Sequence, residues 1–198
     1  MSEAPTVPAG SRVVDGQVVP EVGTWVADPA HTTFEFVARH LTAKVRGRFH
    51  NATVTAHIAE VPEESTVEVE LDVASVDTHE PRRDGHLKSP DFFEAEKYPK
   101  MTFRSTGLRR ADEGVWELTG ELTIKDATRP VTFDLEYLGS SPDPWGGIRA
   151  GFSAFAEVDR EDWGLNWNAA LETGGWLLGK KVRLEIEVEA AKQEAVNQ

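Results

Sequence analysis

Residues 116–125 read WELTGELTIK, and every second side chain is apolar or small: Trp116, Leu118, Gly120, Leu122 and Ile124 alternate with Glu117, Thr119, Glu121, Thr123 and Lys125. A period of two places the two sets on opposite faces of a β-strand, one for a core and one for water. The same alternation extends in both directions. Downstream, VTFDLEY sets Val131, Phe133, Leu135 and Tyr137 against Thr132, Asp134 and Glu136. GFSAFAEV (151–158) follows, and VRLEIEVEA (182–190) sets Val182, Leu184, Ile186 and Val188 against Arg183, Glu185, Glu187 and Glu189. Upstream, VEVELDV alternates Val67, Val69, Leu71 and Val73 with Glu68, Glu70 and Asp72, and TFEFVARH alternates Phe34, Phe36, Ala38 and His40 with Thr33, Glu35, Val37 and Arg39. VTAHI (54–58) and MTFRS (101–105) are shorter candidates.

Eight or more strands with one apolar and one charged face make an antiparallel sheet with one side in water. Turn signals agree: Asp15-Gly16 lies between RVV and QVV as a hairpin turn, and KDATRP and SSPDPWGG separate later strands. The exception is RRDGHLKSPDFF, residues 82–93. Ser89-Pro90-Asp91 reads as a helix N-cap followed by proline and an acid in the first turn, and Asp77 and Glu80 have capping-box spacing before Pro81. One or two short helices are therefore expected in a crossover over residues 78–97. Such a sheet hides its apolar face by folding into a sandwich or by closing into a barrel, which also removes its edges. Gly47, Gly120 and Gly151, on or beside the inward face, suit either a hollow interior or bends and bulges.

The 198 residues suit one domain, able to bury roughly 70% of its unfolded surface. A net charge of −13 argues against nucleic acid and against docking on anionic headgroups. Cysteine is absent, so disulfides and thiolate chemistry are excluded. No apolar run approaches the ~20 residues of a membrane span. The opening MSEAPTVPAGSR has neither a basic nor an apolar signal region, so a cytoplasmic location is the expectation. The first ten residues are rich in Pro, Ala and Gly and read as loose.

Five ordered motifs carry a resemblance. WVADPAHTTFEFVARH resembles an opening Trp, Asp-Pro-x-His-Ser/Thr and Phe; VRGRF resembles Val-x-Gly-x-Phe. SVDTHEPRRDGHLKSPDFFEAEKYPKMTFRS resembles an Arg-Asp-x-His-Leu helix, Asp-Phe-Phe, Tyr-Pro and a Thr-Phe strand. LTGELTIKDATRPVTF resembles a Leu-x-Gly-x-Leu-Thr hairpin, and DREDWGLNW an Arg-x-x-Phe-Gly closing motif with Trp163 in the phenylalanine position. Together they resemble the YceI-like family of polyisoprenoid-binding, lipocalin-like barrel proteins. The resemblance implies an all-β fold: an extended antiparallel eight-stranded lipocalin-like barrel with a short helical crossover around residues 78–97. It divides the chain into an N-terminal extension with a hairpin (1–22), the barrel (23–190) and a flexible tail (191–198). It also implies a long apolar cavity that binds or carries an amphipathic lipid, which is a polyisoprenoid, an isoprenoid quinone or a fatty-chain compound. Members are not known as catalysts as a class and are often paired as homodimers.

On this reading the cavity is lined by Phe34, Phe36, Ala38, His40, Val69, Leu71, Phe92 and Phe93, and from later strands by Phe103, Trp116, Leu118, Leu122, Phe133, Phe152, Leu184 and Ile186. Arg83, Asp84, His86 and Lys88 are the candidates for head-group recognition at the rim; the competing reading of Arg83 and Asp84 is a pair that rigidifies the turn. Lys44, Arg46 and Arg48 share one strand face, either paired with neighbouring acids or binding an anionic head. His40 reads as a hydrogen-bonded core residue and His31 as a turn cap. Trp145, Trp163, Trp167 and Trp176 read as core or cavity lining rather than an exposed stacking platform. His79, Asp84 and His86 match no tight metal spacing, so no metal and no cofactor beyond a bound lipid is expected. No nucleophile elbow, phosphate loop or dinucleotide fingerprint is present, and no catalytic residue is assigned. Two alternatives stand beside the lipid reading: a rim His/Asp enzyme acting on a lipid, and a solid barrel serving as a protein-interaction module.

Overall fold

A computed structural model describes residues 7–112 and 114–194. The alternating segments form thirteen strands: β1 (Ser11–Val14), β2 (Gln17–Pro20), β3 (Gly23–Ala27), β4 (Thr33–His40), β5 (Ala43–Phe49), β6 (Ala52–Ile58), β7 (Thr66–Asp72), β8 (Val76–Asp77), β9 (Lys100–Asp112), β10 (Val115–Ile124), β11 (Ala127–Pro142), β12 (Ile148–Asp159) and β13 (Leu178–Lys192). A single α-helix, α1 (Pro81–Lys88), crosses between β8 and β9.

Eleven of these strands occupy eight positions of a closed barrel. β3 and β4 both pair antiparallel with β13, Ala27 opposite Ala190 and Phe36 opposite Leu184, so they are two halves of one position. The break is a 3-10 turn at Pro29–His31, capped by the Asp28 side chain on the Ala30 amide at 2.9 Å. β5 and β6 follow as halves of the second position, pairing with β4 and β3, and β7 and β8 as halves of the third. β9 to β13 then run up and down in sequence order, and β12–β13 and β13–β3/β4 pairing closes the ring. The ring is continuous through β3, β6, β7 and β9, whereas residues 43–47 of β5 ladder only with β4 among the described residues, beside the α1 crossover.

The outer faces carry the charge. Arg46 pairs with Glu185 at 2.7 Å and Glu35 at 3.5 Å, and Arg48 with Glu35 at 2.5 Å, so these two rungs of the basic ladder bind the acids of neighbouring strands. Val37 is an exception to the expected alternation: it is buried on the outward face, in register between Arg46 and Arg183. Long arginine stems can cover apolar surface there while their heads stay wet.

Two glycines are explained by close approach. A Cβ on Gly47 would lie 2.2 Å from the Phe36 ring; one on Gly120 would lie 2.4 Å from the Phe103 ring and 2.6 Å from the Arg104 carbonyl oxygen. Gly120 also sits at a register shift between β10 and β9. Phenylalanines thus lie over bare backbone at both positions. Gly120→Ala is expected to lower stability by about 1–3 kcal/mol, because the obstructing carbonyl belongs to a hydrogen-bonded strand and cannot move cheaply. An unchanged urea midpoint would contradict this.

The crossover carries a short helix as expected, but its caps differ from expectation. The helix starts at Pro81, with Glu80 accepting from the Arg82 and Arg83 amides, and Ser89 is its C-cap rather than the N-cap of a second helix. The Ser89 hydroxyl donates to the His86 carbonyl at 2.7 Å, and turns follow instead of a second helix. Hairpin β1–β2 folds about Asp15-Gly16. β13 continues to Lys192, two residues into the stretch read as a tail. Residues 1–6 and 195–198, read as loose, lie outside the described residues.

Candidate functional site

The barrel interior is hollow in two lobes. The upper lobe, about 230 Å³, lies at the hairpin end. The lower lobe, about 490 Å³, opens beside α1. Phe36, Phe49, Met101, Leu122, Ile124 and Leu184 belong to both walls and form a waist between them.

The expected cavity residues distribute over these walls. Phe34, Val69, Leu71, Phe103, Trp116, Leu118, Phe133, Phe152 and Ile186 line the upper lobe. Ala38, His40, Phe92 and Phe93 line the lower one, and Phe36, Leu122 and Leu184 stand at the waist. The strand period delivers them, because alternate residues on every strand face the bore. Three polar side chains of the upper wall are engaged elsewhere. The Tyr137 hydroxyl bonds Ser11 Oγ at 2.7 Å, Ser65 Oγ accepts from the Ala59 amide at 3.1 Å, and Glu35 is held by Arg46 and Arg48.

The hairpin end is walled by residues not singled out from the sequence. Val19 and Pro20 of β2 and the fully buried Trp25 of β3 form its wall. Arg12 of β1 anchors the hairpin by donating to the Ala59 carbonyl at 2.6 Å. Only the hairpin turn itself was legible; its docking depends on residues far along the chain.

At the rim the four candidates separate. Arg83 and His86 line the lower lobe, whereas Asp84 and Lys88 do not. Asp84 accepts from the amide and hydroxyl of the buried Thr78 at 2.8 and 2.6 Å. Arg83 donates to the Thr78 hydroxyl at 2.7 Å and its carbonyl at 2.8 Å. Both side chains therefore brace the β8–α1 turn, through Thr78 rather than as a direct pair. His86 bonds Asp91 at 2.8 Å, not Asp84, and packs edge-on to Phe92 and Trp167. His79 is highly exposed beside Asp77, so His79, Asp84 and His86 do not converge on a metal position.

The tryptophans divide. Trp163 is buried, donating to the Leu122 carbonyl at 2.9 Å, and Trp167 lines the lower lobe. Trp145 and Trp176 are 84% and 63% exposed, against the expectation of burial. Trp145 stands in the 143–147 turn, and Trp176 in the 164–177 loop, where a lone bridge to Ala170 replaces a strand ladder that could bury it.

Among the described residues one further His/carboxylate group converges: Asp28, His31 and Glu189. Arg149 already occupies it, with Nη1 at 2.5 Å from Asp28 and 3.3 Å from Glu189. His31 thus bonds the capping carboxylate of Asp28, at 3.3 Å, rather than capping the turn itself. The Arg149 hydrogen bond, aided by the Ala30 amide, holds the Asp28 carboxyl down at about 2. A depressed carboxylate stabilises the fold fully above its ordinary value of 3.8, and that contribution fades as pH falls toward about 2. Asp28→Asn, which keeps the cap and removes the charge, is expected to lower the urea midpoint at neutral pH. The difference from the parent should close as pH drops through that window; a pH-independent difference would exclude the linkage.

Residues 25–190 match the YceI-like domain. The chain belongs to the YceI-like family. A UPF0312 protein of Staphylococcus aureus (strain MSSA476) is 36% identical over 166 residues, covering 82% of this chain and 94% of the relative. The YCEI protein of Campylobacter jejuni is 30% identical and superposes with a TM-score of 0.68 over 79% of this chain and 90% of its own. A polyisoprenoid-binding domain from Saccharophagus degradans shares the fold at 14% identity, with a TM-score of 0.62 over 87% of this chain and 100% of its own. The YceI-like match begins at Trp25, so the hairpin that lines the upper lobe precedes it.

Proposed function

We propose that this YceI-like chain binds and carries one long-chain amphipathic lipid, a polyisoprenoid, an isoprenoid quinone or a fatty-chain compound, without transforming it. The observation that carries this reading is the two-lobed apolar bore, walled by Val19, Pro20 and Trp25 at the hairpin end and edged with polar groups at the helix end. Sequestering one CH₂ from water is worth ~0.8 kcal/mol, so a five-carbon isoprene unit contributes roughly 4 kcal/mol gross. A few units offset the roughly 4–15 kcal/mol cost of association. Affinity then needs few polar contacts, and polar groups serve to orient the head. The Saccharophagus degradans domain lends support by its fold alone. A non-catalytic role is supported by the rim bonding: Asp84 is committed to Thr78, which leaves it no part as the acid–base partner of His86.

Native mass spectrometry of the purified protein is expected to show a co-purifying lipid, and delipidated protein is expected to take up polyprenyl, quinone or fatty-chain compounds. Protein that stays empty with all three classes would sink the proposal. Chemical change of a bound lipid on long incubation would replace it with the enzymatic alternative.

A further inference from the structure

The lower lobe contains a charge that the braced rim does not explain. Arg160 begins the 3-10 turn Arg160–Trp163 at the end of β12, forms part of the lobe wall and is 6% exposed. Its Nε donates to the Gly179 carbonyl at 2.9 Å and its Nη1 to the carbonyls of Leu165 and Trp167, the latter at 3.0 Å. Every acceptor is a neutral backbone oxygen, and none of the ion pairs among the described residues includes Arg160. Its Nη2 is buried and has no hydrogen-bond partner. Around it the same wall is Trp163, Leu165, Trp167, Leu178 and Val182.

A buried guanidinium with an unmet hydrogen bond is unfavourable. Burial pushes the guanidinium pKa down from its ordinary value, against the Coulombic pull of Glu161 and Asp159, neither of which pairs with it directly. Tying the 165–179 loop to β12 accounts for Nε and Nη1, but it leaves Nη2 without a role. Arg83, on the same lobe, shows the contrast: its Nε and Nη2 are both spent on Thr78.

We propose that Arg160 anchors the head of the bound amphiphile and selects a head that carries an anionic oxygen, phosphate or carboxylate, while the chain runs through the waist into the upper lobe. This rests on the lipid-binding reading above. An anionic acceptor would supply the missing hydrogen bond to Nη2, in the charge-assisted geometry arginine favours. Chain burial would give the affinity, and Arg160 the choice of head.

The test compares matched heads on delipidated wild-type protein: farnesyl monophosphate against farnesol, and palmitate against hexadecanol. The anionic member of at least one pair should bind of the order of 10- to 100-fold tighter, the range of a hydrogen bond to a charged group. The pair showing the preference tells phosphate from carboxylate. The preference should survive roughly 1 M salt, where exposed charges are screened beyond about 3 Å, and should survive in an Arg82→Met/Lys88→Met double variant. Equal affinity within both pairs overturns the anchor and leaves the barrel reading intact. Loss of the preference in salt or in the double variant also overturns it, by placing the anion at the exposed rim. Failure of all four compounds to bind overturns the lipid reading itself. Arg160→Met should equalise the heads while still binding farnesol; because this variant also loosens the 165–179 loop, the wild-type comparison stands independently of it.

Discussion

Replacing Ala154 by tryptophan is expected to abolish binding of long chains while leaving the barrel folded. Ala154 lies on β12, in register between Leu135 of β11 and Ile186 of β13, and all three line the upper lobe. An indole projecting from this position enters the space a hydrocarbon tail would use. Excluding even one isoprene unit removes roughly 4 kcal/mol of burial, which is on the order of 100- to 1000-fold in affinity. The stability readout carries equal weight. In a close-packed core a much larger side chain would force neighbours off their rotamers, at about 1–3 kcal/mol or more. In a hollow it replaces empty space with contacts, and the unfolding midpoint should stay within about 1 kcal/mol of the parent. Loss of polyprenyl binding with an unchanged midpoint supports an open bore. A strongly destabilised variant would mean a solid interior, and retained affinity would mean that the chain does not use the upper lobe.

The residues that line the bore were legible because the strand period is a local property: Leu118 faces inward by virtue of standing two residues from Trp116 and two from Gly120. Closure was not legible from alternation, since a sandwich presents the same pattern; it depends on β13 meeting β12 on one side and β3/β4 on the other, and only the family resemblance spoke to that. Ser89-Pro90-Asp91 was misread because a serine before proline signals a helix start only where the preceding residues are not already helical. Here the same hydroxyl bonds back to His86 and also accepts from the Asp91 amide, at 3.3 Å. The hairpin turn was visible, but its docking is not: Ser11 meets Tyr137 across the fold, a contact with no local trace. Arg160 was visible only as one letter of a closing motif. Its significance lies in the buried Nη2 that no acceptor meets, and that is a fact of three-dimensional packing.

Truncating Trp25 is expected to cost the empty protein about 3–5 kcal/mol, the upper range for aromatic core residues. Trp25 is 0% exposed and packs against Ala150 and Ala190, with Ala56, Ile58 and Phe152 close by. Its indole nitrogen donates to the Glu21 carbonyl at 3.0 Å, fixing the segment that joins the hairpin to the barrel. Small neighbours cannot expand to fill the void left by Trp25→Ala, and the surrounding strands are held by a closed ring of ladder hydrogen bonds that resists collapse. The cavity term therefore adds nearly in full to the lost transfer energy, and the sum is a large part of the ~5–15 kcal/mol that keeps such a domain folded. Because the void would open into the upper lobe, a bound chain should refill some of it. The unfolding midpoint of Trp25→Ala is thus expected to rise more on lipid addition than that of the parent, provided binding is confined to the folded state. Urea titrations of both proteins with and without lipid decide the matter. A loss below about 1 kcal/mol would show that the hairpin end is already loosely packed, and an equal lipid response in both proteins would show that the tail stops short of Trp25.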